Sequence, residues 1–408
     1  MMTDATAGAG PLAGKRIVLG VSGSIASYKA ADIASKLTQA GALVDVILTA
    51  SAQNFVTALT FRSLTARSVF TDMYDPQSPL AEEHVELARG ADALLIAPAS
   101  ATTLARLAHG LADDMIALTA LATTAPVIVA PAMDAQMWAH AATQANIMLL
   151  RERGVIFAGP VEGRLASGHI GLGRLLDTDG LLGALRLALG ARGDLAGVRI
   201  VVSAGGTHEA IDPVRYIGNR SSGKMGFAIA EAARDRGARV TLVTGPVALA
   251  TPYGIERVDV RTTEEMANAI AGATAQCDAL IMAAAPADFR AATVSDQKIK
   301  RTGAAMIVEL VPNQDIIAGL GSGFVKVGFA AETEQLLVNA RAKIAKKGLD
   351  LIVANDVTAA GAGFATDTNR VTLIEANGAI EELPLLSKYD VAVRILDKVA
   401  ALVANRGG

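Results

Sequence analysis

The stretch LAGKRIVLGVSGSI (residues 12–25) contains an apolar run that leads directly into a turn of glycine and serine. Apolar residues at helical spacing follow over residues 26–40, and a second apolar run lies at residues 44–48. This order predicts a β-α-β unit. The stretch LAGVRIVVSAGGT (residues 195–207) begins a second unit of the same kind, with its helix over residues 226–236. The sequence therefore predicts two Rossmann-like, three-layer α/β domains.

The boundary between the two domains is predicted at GARGD (residues 190–194), a glycine-containing stretch that follows an apolar helix over residues 181–189. We therefore assign residues 1–190 to the first domain and residues 191–408 to the second. The sequence similarity between the beginnings of the two domains does not continue beyond the first β-α-β unit. This favours a shared architecture over an internal duplication.

Composition places the chain among globular α/β proteins. Hydrophobic residues make up 51% of the 408 residues and charged residues 19%, which excludes disordered and low-complexity classes. Aromatic residues contribute only 4%, which favours helices packed on buried parallel strands over a sandwich or a barrel. The net charge is −3 and no run of like charge stands out, so we expect no nucleic-acid partner.

Two features bear on localisation. Cys277 is the only cysteine, so no intrachain disulfide can form, and the N-terminus lacks the basic start and apolar core of a signal peptide. We expect a cytoplasmic protein. The uncharged residues 115–133 are long enough to span a membrane, but Pro126 and Pro131 interrupt them. We predict a buried helix followed by a strand at residues 127–129, and no membrane association.

Neither glycine-rich turn matches the dinucleotide fingerprint G-x-G-x-x-G. The segment GNRSSGKM (residues 218–225) fits the phosphate-binding loop of NTPases up to its last position, where Met225 replaces the serine or threonine that binds magnesium. It also does not directly follow an apolar strand. We therefore exclude a P-loop NTPase, although small residues at both strand-to-helix turns can still hold a phosphate at a helix N-terminus.

Polar residues in the second half gather where an α/β sheet binds ligands. Residues 212–224 form one loop rich in anion-binding groups. Asp288 follows the strand predicted at residues 279–282, and the carboxyl ends of parallel strands are where open α/β sheets place ligands. Lys298 and Lys300 alternate along an extended segment and so share one face.

These segments, in this order, resemble the bifunctional phosphopantothenoylcysteine decarboxylase and phosphopantothenate–cysteine ligase family of coenzyme A biosynthesis. The resemblance covers nearly the whole chain. It implies a ligase that activates phosphopantothenate with CTP as an acyl-cytidylate, releases pyrophosphate and then forms an amide with cysteine. In the second half it rests on AGGT (residues 204–207), DPVRYI (residues 212–217), NRSSGKMG (residues 219–226), GFAAET (residues 328–333) and DLIVAND (residues 350–356).

The resemblance also implies roles for individual residues of the second half. Lys298 would stabilise the transferring phosphoryl group and Asn219 would hold the acyl-cytidylate, while Mg²⁺ offsets the repulsion between phosphates. The family's Asn-Pro-Asp-Ile segment reads Asn-Gln-Asp-Ile here, at residues 313–316. No metal ligand is assigned. The nucleotide-binding residues implied are Ser221, Ala285, Asp288, Lys298, Asp315, Ile316, Phe329, Lys343 and Lys347.

The first half resembles the flavin-dependent cysteine decarboxylase module of the same enzymes, a flavodoxin-like domain. Its matching segments include GSIA (residues 23–26), HVEL (residues 84–87) and GLGR (residues 171–174). The resemblance implies a bound FMN that oxidises the cysteine thiol, so that carbon dioxide leaves, and a proton donor that helps to restore the saturated product. The implied catalytic residues are His84, Asp134 and Ser167, and the implied flavin-binding residues are Gly23, Ser24, Ile25, Thr49, Ser51, Ser100 and Met133.

Three positions depart from the usual pattern of the decarboxylase module. Asp134 stands where the family has asparagine, Ser167 where it has the proton-donating cysteine, and Thr102 where it has asparagine. A serine hydroxyl is a far weaker acid than a thiol of pKa about 8.5, so the proton must come from water or from another acid, for which Asp134 is the candidate. We predict that Asp134 donates the proton in a protonated form with a raised pKa, and that replacing Asp134 harms the reaction more than replacing Ser167.

Three functions remain open at this point. The first is an enzyme with both activities, and the second is an active ligase fused to a flavin-binding module with impaired decarboxylation. The third is an NAD-dependent reductase, which both failed fingerprints disfavour. The first function predicts phosphopantothenate, cysteine and CTP as partners. The resemblance to the family also implies a homo-oligomer with trimeric flavin modules and dimeric ligase modules.

Overall fold

The computed structural model describes residues 10–74, 82–301, 305–332, 336–356, 363 and 366–407. The chain divides into two compact units, one of residues 8–189 and one that contains residues 190–408. Both units are α/β structures built on a largely parallel sheet, which confirms the fold class predicted from the sequence.

The first unit contains a six-stranded parallel sheet. Its strands are β1 (Arg16–Val21), β2 (Leu43–Leu48), β3 (Val69–Phe70), β4 (Ala93–Ala99), β5 (Val127–Pro131) and β6 (Ile156–Phe157). Their order is β3-β2-β1-β4-β5-β6, which is the order of dinucleotide-binding Rossmann folds. The predicted Rossmann-like architecture is present, but the strand order is not the 2-1-3-4-5 order of flavodoxin, because β3 pairs with β2 and leaves β4 beside β1. Strand β1 is buried from its second residue onward, as its apolar run predicts. A separate antiparallel hairpin consists of β7 (Val161–Arg164) and β8 (Ile170–Arg174).

Helices connect these strands. The helix predicted over residues 26–40 begins as a 3₁₀ turn at Ile25–Tyr28 and continues as α1 (Lys29–Gln39). The buried helix predicted before β5 is α5 (Met115–Ala122). The helix and the strand thus lie where the sequence predicts them. The other helices are α2 (Ala58–Thr65), α3 (Glu83–Gly90), α4 (Ala101–His109), α6 (Ala135–Ala139), α7 (Ala141–Glu152) and α8 (Thr178–Gly190), with a second 3₁₀ turn at Ala52–Asn54.

The second unit contains an eight-stranded sheet in the order β13-β12-β9-β14-β17-β18-β20-β21. The strands of the whole unit, including the pairs β10–β11, β15–β16 and β19–β22 that lie outside this sheet, are β9 (Arg199–Ala204), β10 (Glu209–Ala210), β11 (Tyr216–Ile217), β12 (Arg239–Thr244), β13 (Glu256–Asp259), β14 (Ala279–Met282), β15 (Phe289–Ala291), β16 (Leu310–Pro312), β17 (Val325–Glu332), β18 (Leu351–Asp356), β19 (Thr368–Asn369), β20 (Val371–Glu375), β21 (Ile380–Glu382) and β22 (Leu386–Ser387). The six strands from β13 to β18 are parallel and repeat the order of the first unit, whereas β20 and β21 are antiparallel. The likeness of the two units thus extends beyond their first β-α-β unit.

The helices of the second unit are α9 (Lys224–Asp235), α10 (Thr263–Thr274), α11 (Leu336–Lys347) and α12 (Lys388–Gly407). Helix α9 begins two residues before the predicted start, because Gly223 at φ +77° makes the turn that precedes it. Strand β18 runs on through Asp356, so Asn355 belongs to the strand and not to the loop after it. No helix in the described ranges is long and apolar enough to cross a membrane.

Cys277 lies between α10 and β14 and is half-buried. Burial, with a smaller contribution from the neighbouring carboxylate of Asp278, raises the pKa of this thiol to about 11. The thiol is therefore protonated at neutral pH.

Candidate active sites

The candidate flavin site lies at the carboxyl ends of the strands of the first unit. Gly23 follows β1, and a Cβ atom at this position would lie 2.4 Å from the Cβ of Ser51, which follows β2. Only glycine allows the two turns to approach this closely. The hydroxyl of Ser22 donates to the carbonyl oxygen of Pro98 at 2.8 Å and accepts from the amide of Ser100 at 2.9 Å. The turns after β1, β2 and β4 are thus held together.

A cavity of about 570 Å³ opens at this edge of the sheet. Its volume falls within the roughly 300–1,000 Å³ of small-molecule sites. The cavity brings together five of the residues predicted from the sequence, namely Ser24, Ile25, Met133, Asp134 and Ser167. The other predicted flavin-binding residues, Gly23, Thr49, Ser51 and Ser100, lie at the strand ends and outside its lining.

Asp134 and Ser167 come from different elements and meet at this cavity. The hydroxyl of Ser167, between β7 and β8, donates to Oδ2 of Asp134 at 2.9 Å. Oδ1 of Asp134 accepts from the amide of Gln136 at 3.0 Å and so caps α6. The hydrogen bond from Gln136, followed by that from Ser167, holds the pKa of Asp134 below its usual range. The prediction that Asp134 acts as a protonated acid with a raised pKa is therefore wrong, because both contacts favour the ionised carboxylate.

Cationic side chains line the same cavity and were not predicted as site residues. They are Lys29, Arg164 and Arg174. Burial, and then the charge of Arg174, lowers the pKa of Lys29, which indicates that Lys29 and Arg174 lie close together. Lys29 follows the glycine-serine turn and Arg174 ends the GLGR segment. Their positions beside these matched segments could have been used to predict them as site residues. The arrangement suits an anionic ligand such as a phosphate or a carboxylate.

His84 is not part of this cavity within one chain. It is the second residue of α3, is half-buried and does not line the cavity. The structure therefore does not bring the predicted histidine together with Asp134 and Ser167 in a single chain.

The candidate nucleotide site lies at the carboxyl ends of β9 and β14. Gly206 forms an isolated parallel bridge with Ala285, whose amide donates to the carbonyl oxygen of Gly205 at 2.8 Å. Gly205 has a φ of +76°, a conformation that favours glycine. The amide of Ala287 donates to Oγ1 of Thr207 at 2.9 Å. These hydrogen bonds join the turn after β9 to the residues that follow β14.

A cavity of about 170 Å³ lies at this edge of the second sheet. Ser221, Ala285 and Phe329, all predicted from the sequence, line it. The sequence analysis missed Asn355, although Asn355 also lines the cavity and is only 9% exposed. Its Oδ1 is buried and accepts no hydrogen bond from the part of the chain that the structure describes. A buried polar atom without a partner costs about 1–3 kcal/mol, so a ligand that offers an N–H or O–H here gains affinity.

Two lysines line the same cavity, of which Lys224 belongs to the loop of residues 212–224 predicted to be rich in anion-binding groups, whereas Lys388 was not predicted. Lys388, the first residue of α12, is 6% exposed and donates to the carbonyl oxygens of Gly363 at 3.0 Å and Thr366 at 2.5 Å. Burial, and then the charge of Lys224, lowers the pKa of Lys388. Lys224 begins α9 and pairs with Asp367 at 2.7 Å. Both cations lie at helix N-termini, where anions bind favourably.

Other predicted residues, Asn219, Asp288 and Lys298, do not line this cavity. The side-chain amide of Asn219 donates to the carbonyl oxygen of Pro286 at 2.9 Å, which holds it against the loop after β14. Asp288 and Lys298 are exposed, and the carbonyl oxygen of Asp288 accepts from the amide of Asn313 at 2.8 Å.

Asp315 and Lys347 form a separate ion pair, with 2.9 Å between Oδ2 and Nζ. Although burial opposes it, the hydrogen bond from Lys347 holds the pKa of Asp315 below its usual range. Ile316 is buried in the hydrophobic core, and Lys343 lies on α11 with Lys347. None of these four residues lines the cavity that Ser221 lines. The predicted nucleotide-binding residues thus fall into two groups that one chain does not bring into one cavity.

Comparison with known proteins bears on both units. The family described as "Flavoprotein" matches residues 7–187, and the family described as "DNA/pantothenate metabolism flavoprotein C-terminal domain" matches residues 195–403.

Curated relatives match nearly the whole chain. The coenzyme A biosynthesis bifunctional protein CoaBC of Bacillus subtilis (strain 168) is 46% identical over 399 residues, which cover 96% of this chain and 98% of the relative. The protein of the same name from Escherichia coli (strain K12) is 44% identical over 396 residues, covering 95% and 97%. A crystal structure of the C-terminal domain of CoaBC is 36% identical and covers 52% of this chain and 99% of that chain, with a TM-score of 0.46.

These identities extend over both units and over the segments that carry the two sites. The chain therefore belongs to the family of bifunctional coenzyme A biosynthesis proteins, flavoproteins that combine phosphopantothenoylcysteine decarboxylase with phosphopantothenate–cysteine ligase activity.

Proposed function

We propose that residues 191–408 join phosphopantothenate to cysteine with CTP as the activating nucleotide, and that residues 1–190 then decarboxylate the product with FMN. The observation that carries this proposal is a cavity in each unit at the carboxyl ends of its parallel strands, lined by residues that the sequence predicts for that site. Family membership supports the two activities, and the cavities are where we propose that they take place.

In the ligase half, the carboxylate of phosphopantothenate attacks the α-phosphorus of CTP. The bond between the α- and β-phosphates breaks, pyrophosphate leaves and an acyl-cytidylate forms. The amine of cysteine then attacks the acyl carbon and displaces CMP. These steps gather several negative charges, which fixed cations offset. Lys298 is the cation we propose for the transferring phosphoryl group, while Lys224 and Lys388 supply positive charge at the cavity.

We propose Mg²⁺ because it also offsets the negative charges of the phosphates. No group of three or more His, Cys, Asp or Glu side chains that could form a metal cage occurs within the described ranges. Mg²⁺ usually binds through one or two carboxylates together with the phosphates of the substrate. A magnesium ion carried by CTP therefore fits this chain better than a dedicated metal site.

Asn219 is proposed to hold the acyl-cytidylate. Its side-chain amide is already oriented by the hydrogen bond to Pro286, one residue beyond Ala285 at the cavity. We expect Asn219→Ala to slow amide formation by roughly tenfold to a hundredfold while the KM for CTP changes little, because the lost contact forms with the intermediate. Steady-state kinetics with separate detection of pyrophosphate and amide measures this. Unaltered amide formation refutes the role.

FMN fits the cavity of the first unit in size and in charge. Ser24, Ile25 and Met133 would contact it, and Lys29 and Arg174 provide positive charge for a phosphate. When bound, FMN supplies the electron acceptor that oxidises the cysteine thiol, lets carbon dioxide leave and afterwards returns the electrons. Asp134 and Ser167 remain at the mouth of the same cavity, where their hydrogen bond fixes the β7–β8 hairpin against α6.

We propose that His84 acts at the flavin cavity of a neighbouring copy in a trimer of flavin modules, and that the ligase modules dimerise. Support comes from large apolar side chains that one chain leaves exposed at this cavity, with Ile25 58% and Tyr28 61% exposed. Such exposed apolar surface marks an interaction site. We further propose that the enzyme works in the cytoplasm, where its one cysteine needs no partner.

Because Asp134 is ionised, we no longer expect Asp134→Asn to harm decarboxylation, as we would if Asp134 were a protonated acid. Asparagine caps a helix about as well as aspartate. Asp134→Asn also removes a negative charge that repels the carboxylate of the substrate. We therefore expect Asp134→Asn to keep flavin binding and to release carbon dioxide at or above the parent rate. Loss of carbon dioxide release with the flavin still bound would show that the reaction needs the ionised carboxylate.

One observation favours a second candidate function, an active ligase fused to a flavin module with impaired decarboxylation. Neither Asp134, which is ionised, nor Ser167, whose hydroxyl is a weak acid, is a good proton donor. A coupled assay with phosphopantothenate, cysteine and CTP that follows phosphopantothenoylcysteine and carbon dioxide together distinguishes the two. Formation of both products supports the two-activity enzyme, and accumulation of phosphopantothenoylcysteine supports the alternative.

A further inference from the structure

The turn between β10 and β11 holds a segment that is distant in sequence. Asp212 and Arg215 belong to this turn, whereas Lys298 and Ile299 belong to a stretch without regular secondary structure. The amide of Ser295 donates to the carbonyl oxygen of Ile211 at 3.0 Å, which begins the contact between the two segments. Further contacts converge on Ile299.

The backbone of Ile299 is held at both of its polar groups. Its N–H donates to Oδ2 of Asp212 at 3.2 Å, and its carbonyl oxygen accepts from Nη2 of Arg215 at 3.1 Å. Asp212 and Arg215 are themselves paired, with 3.4 Å between Oδ2 and Nη1. We call these two side chains the Ile299 clamp. The clamp fixes the peptide group that joins Lys298 to Ile299, and hence the point from which the Lys298 side chain projects.

Asp212 does more than close its own turn. Its Oδ1 accepts from the amides of Val214 and Arg215, both at 2.8 Å, and these two hydrogen bonds are sufficient for the turn. Oδ2 reaches Ile299 instead, 87 residues further along the chain. The carboxylate is 0% exposed, and backbone amides keep its pKa low despite the burial. The carboxylate of Asp212 thus accepts hydrogen bonds from amides of the chain itself.

The same hairpin also carries Asn219, two residues after β11. One short stretch of chain thus bears the residue proposed for the acyl-cytidylate and clamps the segment of Lys298. Exposure along that segment alternates, with Lys298 and Lys300 exposed and Ile299 half-buried between them. The lysine side chains project from a backbone that is fixed at one defined residue.

We propose that Asp212 and Arg215 are positioning residues for Lys298, holding its backbone where the ammonium group can meet the phosphoryl group in transfer. This rests on the proposed function, in which Lys298 offsets that charge. Without the clamp, the ammonium group samples more positions and the reaction slows, because a preorganised charge is worth more than a mobile one. CTP binding, which other residues share, is less affected.

Asp212→Asn tests the clamp selectively. Asparagine keeps an oxygen for the two amides of the turn but places an N–H₂ group against the N–H of Ile299. The flavin-bound full-length variant is treated with trypsin, and cleavage after Lys298, Lys300 and Arg301 is followed by mass spectrometry. We expect cleavage there to accelerate roughly three- to tenfold, the population change that follows loss of one hydrogen bond. The kcat of ligation falls by at least that factor, while the KM for CTP stays within about twofold.

Asp259→Asn is the matched control, because it also removes a carboxylate that pairs with an arginine in the same unit, at 2.7 Å from Arg257. Thermal unfolding and the flavin spectrum check that each variant folds, and Arg215→Gln loosens the clamp from its other side if Asp212→Asn does not fold. Unchanged cleavage in a folded variant overturns the clamp. Faster cleavage with unchanged kcat overturns the positioning role. Failure of the proposed function itself shows separately, as unchanged ligation in Lys298→Ala.

Discussion

Replacing Lys298 with alanine is expected to abolish amide formation while leaving the flavin bound. Lys298 is an exposed cation on a clamped backbone, and we propose that it offsets the negative charge that builds up as the phosphoryl group is transferred. Removing one such preorganised group slows an enzyme by roughly 10²–10³-fold. Release of pyrophosphate and formation of phosphopantothenoylcysteine are the two readouts, and the visible spectrum of the flavin reports the other half.

Lys300→Ala is the matched control for this variant. Lys300 lies on the same segment, is equally exposed and contributes the same charge. A general loss of positive charge would slow both variants alike, whereas the proposed role slows Lys298→Ala far more. Ligation at the parent rate in Lys298→Ala would contradict the assignment of the ligase half.

His84→Asn is expected to keep the yellow colour of the flavin and to lose carbon dioxide release, by roughly 10²–10⁴-fold if the imidazole handles a proton. His84 is half-buried near the start of α3 and outside the flavin cavity of its own chain. The proposal therefore requires a neighbouring copy. Single-turnover measurement of carbon dioxide with flavin-loaded protein tests the role.

Two observations separate this role from a structural one. His109→Asn is the control, because His109 is an exposed histidine of the same unit whose contact is with Asn146 at 3.1 Å. If His84→Asn loses the flavin or unfolds, the histidine is structural. Mixing His84→Asn with a variant defective in its own cavity should restore some release if the site lies between copies.

The sequence allowed the fold to be predicted because its signals are local. The apolar run of β1, the glycine turn after it and the periodic helix all lie within one short stretch, and each agrees with the others. The apolar runs of β9 and β12 likewise agree with the turn and helix predicted between them. The antiparallel strands β20 and β21 were not predicted, since a short strand at a sheet edge has little apolar pattern of its own.

The sites were harder to predict because their contacts are distant in sequence. Ser167 and Asp134 are 33 positions apart, and the hydrogen bond between them adds to the larger effect of the Gln136 amide in lowering the pKa of Asp134, where the sequence analysis expected it to be raised. Asn355 lies in a matched segment but was not predicted as a site residue, and only the tertiary structure shows that the end of β18 brings it to the cavity. A residue type and a motif predict what a side chain can do, whereas its protonation state depends on neighbours that only the tertiary structure supplies.

The environment of Cys277 makes this protein well suited to chemical labelling at an introduced cysteine. Maleimides and activated disulfides react with thiolates, and a thiol with a pKa of about 11 offers almost none at pH 7. Cystine, the disulfide form of the cysteine used in the proposed ligation, would for the same reason exchange only slowly with this thiol, because the exchange requires attack by a thiolate. Ser167→Cys would then introduce the one readily modified thiol at the mouth of the flavin cavity. A fluorophore attached there would report movement of the β7–β8 hairpin without background from the rest of the molecule.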